Sequence, residues 1–221
     1  IRNEIRELPT IKKAILNTDL KFLSKIEVND IINHSNTAYP FEGGERNALE
    51  RLRSYLWESH NIAKYKETRN GLIGTEYSSK FSAYLSTGSI SPVTIYHEIK
   101  KFEKEVKKNS STYWLIFELM WREFFRYVTK KGKKNIFMIN GINGNIFNKN
   151  FNSDIKLFKK WCNGETGQEF IDANMIELNS TGFMSNRGRQ NVASYLINDL
   201  DLNWTWGAAY FGSKLIDYDV S

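Results

Sequence analysis

The stretch FMSNRGRQNVASYL, residues 183–196, combines the start of a helix with two closely spaced arginines. Asn186 has the residue type of an N-cap, which puts Arg187 and Arg189 in the predicted first turn. The apolar and aromatic residues that recur at helical spacing are Val192, Ala193, Tyr195 and Leu196. Cations at this end oppose the helix macrodipole, and they cannot accept hydrogen bonds from the free backbone N–H groups of the first turn. The stretch therefore predicts an anionic ligand or an acidic partner beside the helix start.

The composition of the chain indicates one globular domain with an anionic partner. Its 221 residues are 41% apolar and 14% aromatic, which suits a substantial buried core. Lys and Arg number 31 against 25 Asp and Glu, so the net charge is +6 and the pI is near 9.2. This excess favours nucleic acid as the partner, with a membrane surface as the alternative.

Cysteine usage and hydropathy bear on the compartment. Cys162 is the only cysteine, so no internal disulfide can form and a reducing compartment is allowed. No run reaches the length of a transmembrane helix, and IRNEIRELPT at residues 1–10 lacks the apolar core of a signal peptide. We therefore expect a soluble intracellular protein, in the cytoplasm unless an organelle houses it. A monomer is expected as well, although the sequence carries no signal for the oligomeric state.

The order of predicted elements gives an all-α fold. Residues 1–40 are polar, weakly periodic and closed by YPFEGG, which predicts a connector before a folded domain at residues 41–221. Pro92 is expected to open a helix through VTIYHEIKKFEKEV, and further helices are expected after DIKLFKKWCNG. NIFMINGINGNIF, residues 135–147, predicts a loop or a hairpin. Strands and helices do not alternate, which favours a bundle-like helical domain.

The segment ERNALERLRSYLWESHN, residues 45–61, has the spacing of an amphipathic helix. Its predicted buried face consists of Ala48, Leu49, Leu52, Tyr55 and Leu56. The charged residues are expected on the opposite face, so core packing alone explains this helix.

A second helix, residues 111–128, has aromatic and aliphatic side chains on nearly every face, which predicts deep burial. The charges embedded in it are Glu118, Arg122, Glu123 and Arg126. One interpretation is that Glu118 and Arg122, four residues apart, form an ion pair within the helix. The other is a polar floor beneath an aromatic cavity, where Glu118 and Trp121 together receive a flat base.

Several familiar chemistries lack their motifs. His34, His60 and His97 are scattered, and no paired-cysteine motif exists, so no metal site and no nucleophilic triad is predicted. Neither a Walker loop nor a Rossmann glycine pattern is present. YSSKFS, residues 77–82, offers hydroxyls, backbone N–H groups and a lysine that suit a diphosphate, although an ordinary turn or N-cap has the same composition.

Six stretches carry a resemblance that extends over residues 40–221. In order they are FEGGERNALERL, YKETRNGL, YSSKFSAYLSTGSISP, STYWLIFELMWREFF, FIDANMIELNSTGFMSNRGRQNVASYL and AAYFGSKLIDYDVS. Together they resemble the C-terminal flavin-binding domain of the photolyase and cryptochrome family, most closely its DASH-type cryptochromes. The resemblance implies an all-helical domain that holds FAD in a bent conformation and supplies position and electrostatics to the cofactor.

The same resemblance implies a set of cofactor-binding residues. Those matched to the FAD phosphates are Tyr65, Ser78, Ser79, Lys80, Phe81 and Ser82, with Lys80 at a position often occupied by arginine. Asn186 matches the residue beside the flavin N5 atom. Arg189 matches the arginine that pairs with an aspartate over the ring, and Asp217 and Asp219 match that aspartate and its neighbour. Arg122 is also assigned to the cofactor site.

On the DNA side, Glu118 and Trp121 match the carboxylate and indole that meet a flipped-out pyrimidine dimer, and Arg69 matches a contact to the DNA backbone. Arg187 is expected to face a DNA phosphate or to be a solvated surface arginine. The implied activity is light-driven splitting of the dimer by reduced FAD, in single-stranded DNA. The catalytic residues on this view are Glu118, Trp121, Asn186 and Trp204.

The chain also departs from the family pattern. It starts at the linker, so no antenna chromophore is expected, and it stops before a further flavin contact, so weakened FAD affinity is expected. Trp204 matches the middle tryptophan of the photoreduction chain, but Phe151 stands where the outermost one is expected. We therefore expect impaired photoreduction of the flavin, unless Trp206 or Tyr210 provides an alternative route for electron transfer.

Three functions stay open at this point. The first is a DNA photolyase or a domain of one, supported by Glu118, Trp121 and Asn186. The second is a photoreceptor in which flavin reduction alters a partner interface. The third is a nucleic-acid-binding protein without cofactor or catalysis.

Overall fold

A computed structural model of the chain describes residues 34–35, 37–142 and 151–220, all within one compact unit, Asn33–Ser221. These residues form a helical fold without strands, which confirms the predicted all-α class; Asn152 and Leu202 make an isolated parallel bridge. Most of the predicted connector and residues 143–147 of the predicted loop or hairpin lie outside the described residues. None of the described helices is both long and apolar enough to cross a membrane.

The described α-helices are α1 (Glu45–Arg53), α2 (Tyr65–Thr68), α3 (Ser82–Ser86), α4 (Pro92–Glu105), α5 (Ser110–Gly132), α6 (Ile155–Asn163), α7 (Glu169–Thr181), α8 (Asn186–Ser194) and α9 (Trp204–Lys214). Helices α1 and α8 continue as π-helical turns, Ser54–Glu58 and Tyr195–Asp199. Short 3-10 helices, Asn61–Lys64 and Lys133–Phe137, lie before α2 and after α5.

Helices α1 to α5 enclose the first hydrophobic core. The predicted face of α1 and its π-helical extension is buried at Ala48, Leu52, Tyr55 and Leu56, whereas Leu49 is 43% exposed. The expectation that all charges of this helix face solvent is wrong, because Arg51 is buried. This core continues through Ile62, Ile95, Ile99, Phe102 and Leu115.

Local capping chemistry sets where α4 and α5 begin. Pro92 occupies the first turn of α4 as predicted, and the Ser91 hydroxyl accepts the Val93 N–H at 3.1 Å. Helix α5 begins with a capping box: Asn109 Oδ1 accepts the Thr112 N–H at 3.0 Å, and Thr112 Oγ1 accepts the Asn109 N–H at 3.1 Å.

The predicted deep burial of α5 is wrong. Its buried residues are Ser111, Thr112, Leu115 and Gly132, all near the two ends. The exposed large side chains of its middle and last turns are Met120, Trp121, Phe124, Phe125 and Tyr127. An all-round apolar helix needs neighbours on every side, and the described residues cover only part of this one. The aromatic side chains instead stack on one another, with the Trp121 and Phe125 ring centroids 5.6 Å apart.

Helices α6 to α9 enclose a second core around the fully buried Trp161, whose indole N–H donates to the Val192 carbonyl at 3.0 Å. Helices α7 and α8 approach closely at Gly188, where an added Cβ would lie 2.1 Å from Asn174 Oδ1. This contact fixes the start of α8 against α7. After α9, the Ile216 N–H donates to the Gly182 carbonyl at 2.9 Å, which brings Asp217 beside that start.

Candidate flavin and nucleic-acid site

A cleft of about 270 Å³ opens where α2, α5, the start of α8 and the segment after α9 meet residues 77–82. Its lining residues are Tyr65, Arg69, Tyr77, Ser78, Ser79, Lys80, Phe81, Ser82, Glu118, Phe183, Met184, Ser185, Asn186, Arg189 and Asp217. A second cavity of about 840 Å³ adjoins it and shares Ser82, Arg189 and Asp217. The volume of the adjoining cavity lies within the usual range of small-molecule and cofactor sites.

We call residues 77–82 the serine turn; it forms one wall of the cleft. Lys80 has a φ of 61°, a left-handed conformation that is uncommon for a residue with a side chain. No hydrogen bond among the described residues engages the hydroxyls of Ser78, Ser79 or Ser82. The turn therefore presents hydroxyl groups that are available to a ligand in the cleft.

Lys80 is the most unusual residue of this wall. It is 3% exposed, and its ammonium has no hydrogen-bond partner among the described residues. The Nζ atom lies 3.5 Å from the centroid of the Tyr77 ring and 4.5 Å from that of Phe183. Burial lowers the pKa of Lys80 to about 7, and the positive charges of Arg51 and Arg189 act in the same direction, whereas Glu177 and Asp217 oppose the shift. A buried cation in this state fits an anionic ligand.

The opposite wall is built on the start of α8. The N-cap is Ser185, whose hydroxyl accepts the Gly188 N–H at 3.0 Å, so the predicted cap at Asn186 is wrong by one residue. Ser185 is the residue with extended backbone, and Asn186 is the first helical residue. Asn186 still lines the cleft, and its side chain is not committed to capping.

The acidic partner predicted beside α8 is Asp217. Arg189 Nη2 donates to both carboxylate oxygens of Asp217, at 2.9 and 2.8 Å, and the Asp217 side chain is 1% exposed. Arg189 Nε also donates to the Met184 carbonyl at 2.9 Å. Arg189 is thus neutralised and fixed in orientation at the helix start.

The predicted ion pair between Glu118 and Arg122 is wrong. Glu118 Oε1 instead accepts from Arg69 Nη1 at 2.6 Å and from Trp114 Nε1 at 3.0 Å. Arg122 Nη2 donates to Asp219 Oδ2 at 2.9 Å. Both side chains have partners from distant elements, which the spacing along one helix does not reveal. Glu118 and Arg69 line the cleft. Arg122 forms an ion pair with Asp219 and does not line the cleft.

The remaining predicted residues lie outside the cleft. Trp121 is 42% exposed on the aromatic face of α5. Trp204 and Asp219 line the adjoining cavity, and the Trp204 indole donates to the Ile139 carbonyl at 3.1 Å. Arg187 is exposed and donates to Gln190 Oε1 at 3.1 Å.

Trp206 and Tyr210, the residues considered for an alternative electron-transfer route, pack against the second core. Trp206 packs on Phe158 with ring centroids 5.3 Å apart, and Tyr210 packs on Trp161 at 5.8 Å. Neither residue lines the cleft or the adjoining cavity. Phe151 is half-buried beside the bridge residue Asn152.

Sequence reasoning missed one residue that shapes the cleft. Arg51 is 5% exposed and donates to carbonyl groups of the serine turn and the residues before it. A signal was available, because Arg51 lies three residues after Ala48 and four before Tyr55, on the same face as these buried side chains.

Comparison with known proteins gives a consistent result. Residues 114–221 match the family described as the FAD binding domain of DNA photolyase. The chain is 51% identical to a cryptochrome DASH of Xenopus laevis over 191 aligned residues. The aligned region covers 86% of this chain and 36% of that protein. The chain therefore spans about a third of this relative's length.

Solved structures resemble the fold as well as the sequence. A Synechocystis cryptochrome superposes with a TM-score of 0.84 at 49% identity, covering 87% of this chain and 39% of that one. A bacterial class III photolyase from Agrobacterium tumefaciens superposes with a TM-score of 0.70 at 30% identity, covering 82% of this chain and 36% of that one.

Proposed function

The chain belongs to the photolyase and cryptochrome family, as its FAD-binding domain, and we propose that it supports light-driven repair of cyclobutane pyrimidine dimers in single-stranded DNA. FAD is its cofactor. The observation that carries the proposal is the cleft itself, whose lining includes both an arginine–aspartate pair and a buried ammonium that has no hydrogen-bond partner among the described residues.

The two walls of the cleft suit the two halves of FAD. The hydroxyls of Ser78, Ser79 and Ser82 and the ammonium of Lys80 would hold the phosphates. The flavin would lie toward Asn186 and the Arg189–Asp217 pair, whose hydrogen bonds fix the polar groups that the ring would meet. When bound and reduced, FAD supplies the light-driven electron that opens the cyclobutane ring and accepts it back, so there is no net redox change.

The chain's own residues would position the damaged base. Both described hydrogen bonds to Glu118 use Oε1, which leaves Oε2 to accept a hydrogen bond from the edge of a pyrimidine. Arg69 fixes this carboxylate, and the exposed indole of Trp121 offers a stacking surface one turn further along α5. The net charge of +6 supports attraction of the DNA backbone. The activity class is that of a photolyase-like carbon–carbon lyase.

The test is a repair assay on the full chain loaded with FAD. The reduced protein is mixed with a single-stranded oligonucleotide that contains one thymine dimer, illuminated, and the restored oligonucleotide is quantified by chromatography. We expect repair in the light only, and a loss of about tenfold in Trp121→Ala, in line with the contribution of one stacked base. Tyr127→Ala, an exposed aromatic change on the same helix, is the matched control and should repair normally.

Other outcomes distinguish the competing functions. FAD binding without repair, together with light-dependent binding of a partner, would favour a photoreceptor. Binding of single-stranded DNA by a chain that never takes up FAD would favour the nucleic-acid-binding function. Equal repair by the wild type and Trp121→Ala would contradict the assigned stacking surface.

A further inference from the structure

Arg51 is a buried arginine at the back of the serine turn. It is 5% exposed, and its guanidinium lies between two aromatic rings, 4.5 Å from the centroid of Phe41 and 5.1 Å from that of Tyr55. Its orientation is therefore fixed by packing as well as by hydrogen bonds.

The guanidinium donates to several acceptors of one loop. Arg51 Nε donates to the Ser79 carbonyl at 3.1 Å, and Nη2 donates to the Thr75 and Ser78 carbonyls, each at 3.3 Å. Nη1 pairs with Glu76 Oε1 at 2.8 Å. A planar fork with five donors is suited to holding such a set, whereas an ammonium is not.

These contacts determine where the turn's N–H groups face. In a planar trans peptide the carbonyl and the following N–H point in opposite directions. Because the Ser78 and Ser79 carbonyls face Arg51, the N–H groups of Ser79 and Lys80 face away from it. Both of these residues line the cleft, whereas Arg51 does not. No hydrogen bond among the described residues uses either N–H.

Two successive N–H groups without an internal acceptor, the second of them on the left-handed residue Lys80, suit the binding of an anion. Lys80 is 3% exposed, and its ammonium, which has no hydrogen-bond partner in the part of the chain that the structure describes, points independently to an anionic ligand. We propose that Arg51 is a positioning residue for FAD, which holds the serine turn so that these N–H groups bind a phosphate oxygen. This inference rests on the proposed FAD site, and Arg51 itself does not line the cleft.

The test compares FAD with riboflavin, which has the same ring but no phosphate. Dissociation constants of both are measured by fluorescence titration for the full wild-type chain and for Arg51→Met, whose stem still fits between Phe41 and Tyr55. We expect FAD to bind about 10- to 100-fold more weakly to the variant, the range for lost charged hydrogen bonds, and riboflavin to bind nearly unchanged. A general loss of structure would weaken both ligands alike.

Two further variants separate position from charge. Arg51→Lys keeps the charge without the fork, and we expect it to recover only part of the FAD affinity. Arg53→Met, on the same helix and exposed with a single ion pair to Glu58, is the matched control and should leave both constants unchanged. If Arg51→Lys binds FAD like the wild type, charge alone is sufficient and the positioning role is overturned.

A variant at Glu76 covers the case in which Arg51→Met fails to fold. The Glu76 side chain is half-exposed, so Glu76→Gln should fold while weakening the hold on Arg51. We expect FAD to bind about threefold more weakly, with riboflavin unchanged. An unchanged ratio of the two constants in every folded variant overturns the inference. Failure of the wild type to bind FAD at all would instead overturn the proposed function.

Discussion

The two walls of the cleft differ in how their cations are satisfied. Arg189 is paired with a buried aspartate through two short hydrogen bonds. Lys80, on the opposite wall, is buried without a hydrogen-bond partner among the described residues. We call the first wall complete, because its cation has a hydrogen-bonded counter-charge, and the second incomplete, because the Lys80 ammonium interacts with Glu177 and Asp217 only through space.

This difference separates stability from affinity. Breaking the complete wall leaves the Arg189 guanidinium without its hydrogen-bonded counter-charge, so the fold loses stability. Removing the cation of the incomplete wall relieves an unfavourable burial and leaves the fold intact, but removes attraction for the ligand. A substitution in the complete wall should therefore lower the stability of the fold, whereas a substitution of Lys80 should lower the affinity for FAD and spare the stability.

Loss of the Asp217 charge should have the largest effect on the fold. Asp217→Asn preserves the shape but leaves the guanidinium of Arg189 without its counter-charge, and we expect the free energy of unfolding to fall by about 3 kcal/mol. Urea denaturation of the chain without FAD measures this change. Asp199→Asn, an exposed aspartate, is the control. An unchanged unfolding midpoint in Asp217→Asn would show that the pair is not structural.

Lys80→Met should produce the reverse profile. We expect FAD to bind about 30-fold more weakly, because one charged hydrogen bond to phosphate is lost. The chain without FAD should be as stable as the wild type or more stable. Titration calorimetry and urea denaturation check the two quantities, with Lys104→Met on the exposed side of α4 as the control. A destabilised chain with normal FAD affinity would reverse the roles assigned to the two walls.

The FAD affinity of the wild type should depend on pH. The pKa of Lys80 is lowered to about 7 in the folded chain, and a bound phosphate would raise it again, so FAD binding takes up a proton. Affinity should fall above pH 7 by at most about tenfold per pH unit, the limit for one linked proton. Lys80→Arg stays charged and should show a flat profile in this range. A wild-type profile parallel to that of Lys80→Arg would exclude Lys80 as the titrating group.

The same pKa shift makes the opposite prediction for the chain without FAD. The unfolded state holds the Lys80 proton up to the ordinary pKa of 10.5, whereas the folded state releases it near 7. Between these values the unfolded state binds more protons, so the free energy of unfolding should rise with pH relative to that of Lys80→Met. Urea denaturation of both proteins at matched pH values measures the difference, and a constant difference would contradict the shift.

The smallest effect is expected at Arg187, which lies on the exposed side of the α8 start. If it contacts one DNA phosphate, Arg187→Gln should lower the salt dependence of single-stranded DNA binding by about one unit of log–log slope. FAD affinity should not change. An unaltered slope would identify Arg187 as a solvated surface residue.

Much of this architecture could be predicted from local sequence. The spacing of Ala48, Leu52, Tyr55 and Leu56 predicted the buried face of α1, and Pro92 marked the start of α4. Family resemblance predicted the partner of Arg189, which is 28 residues away in the sequence and has no local signal. The helix predictions depend on patterns that lie within one element, whereas the Arg189 pair required the resemblance to a family.

The errors arose where partners come from distant elements. Glu118 and Arg122 are one turn apart, yet Glu118 pairs with Arg69 and Arg122 pairs with Asp219. The aromatic content of α5 predicted burial, but burial depends on which neighbours cover the helix. The spacing of Arg51 from Ala48 and Tyr55 indicates burial, but the backbone carbonyls that accept its hydrogen bonds have no signature in the sequence.

The most direct test of the central claim is FAD uptake by the wild type and Lys80→Met. Each protein is incubated with FAD, separated from free flavin by gel filtration, and its absorption spectrum gives the FAD bound per chain. We predict a stoichiometric flavin spectrum for the wild type and a largely colourless Lys80→Met that remains folded. A wild type that stays colourless, or equal FAD content in both proteins, would contradict the claim that this cleft binds the phosphates of FAD through Lys80.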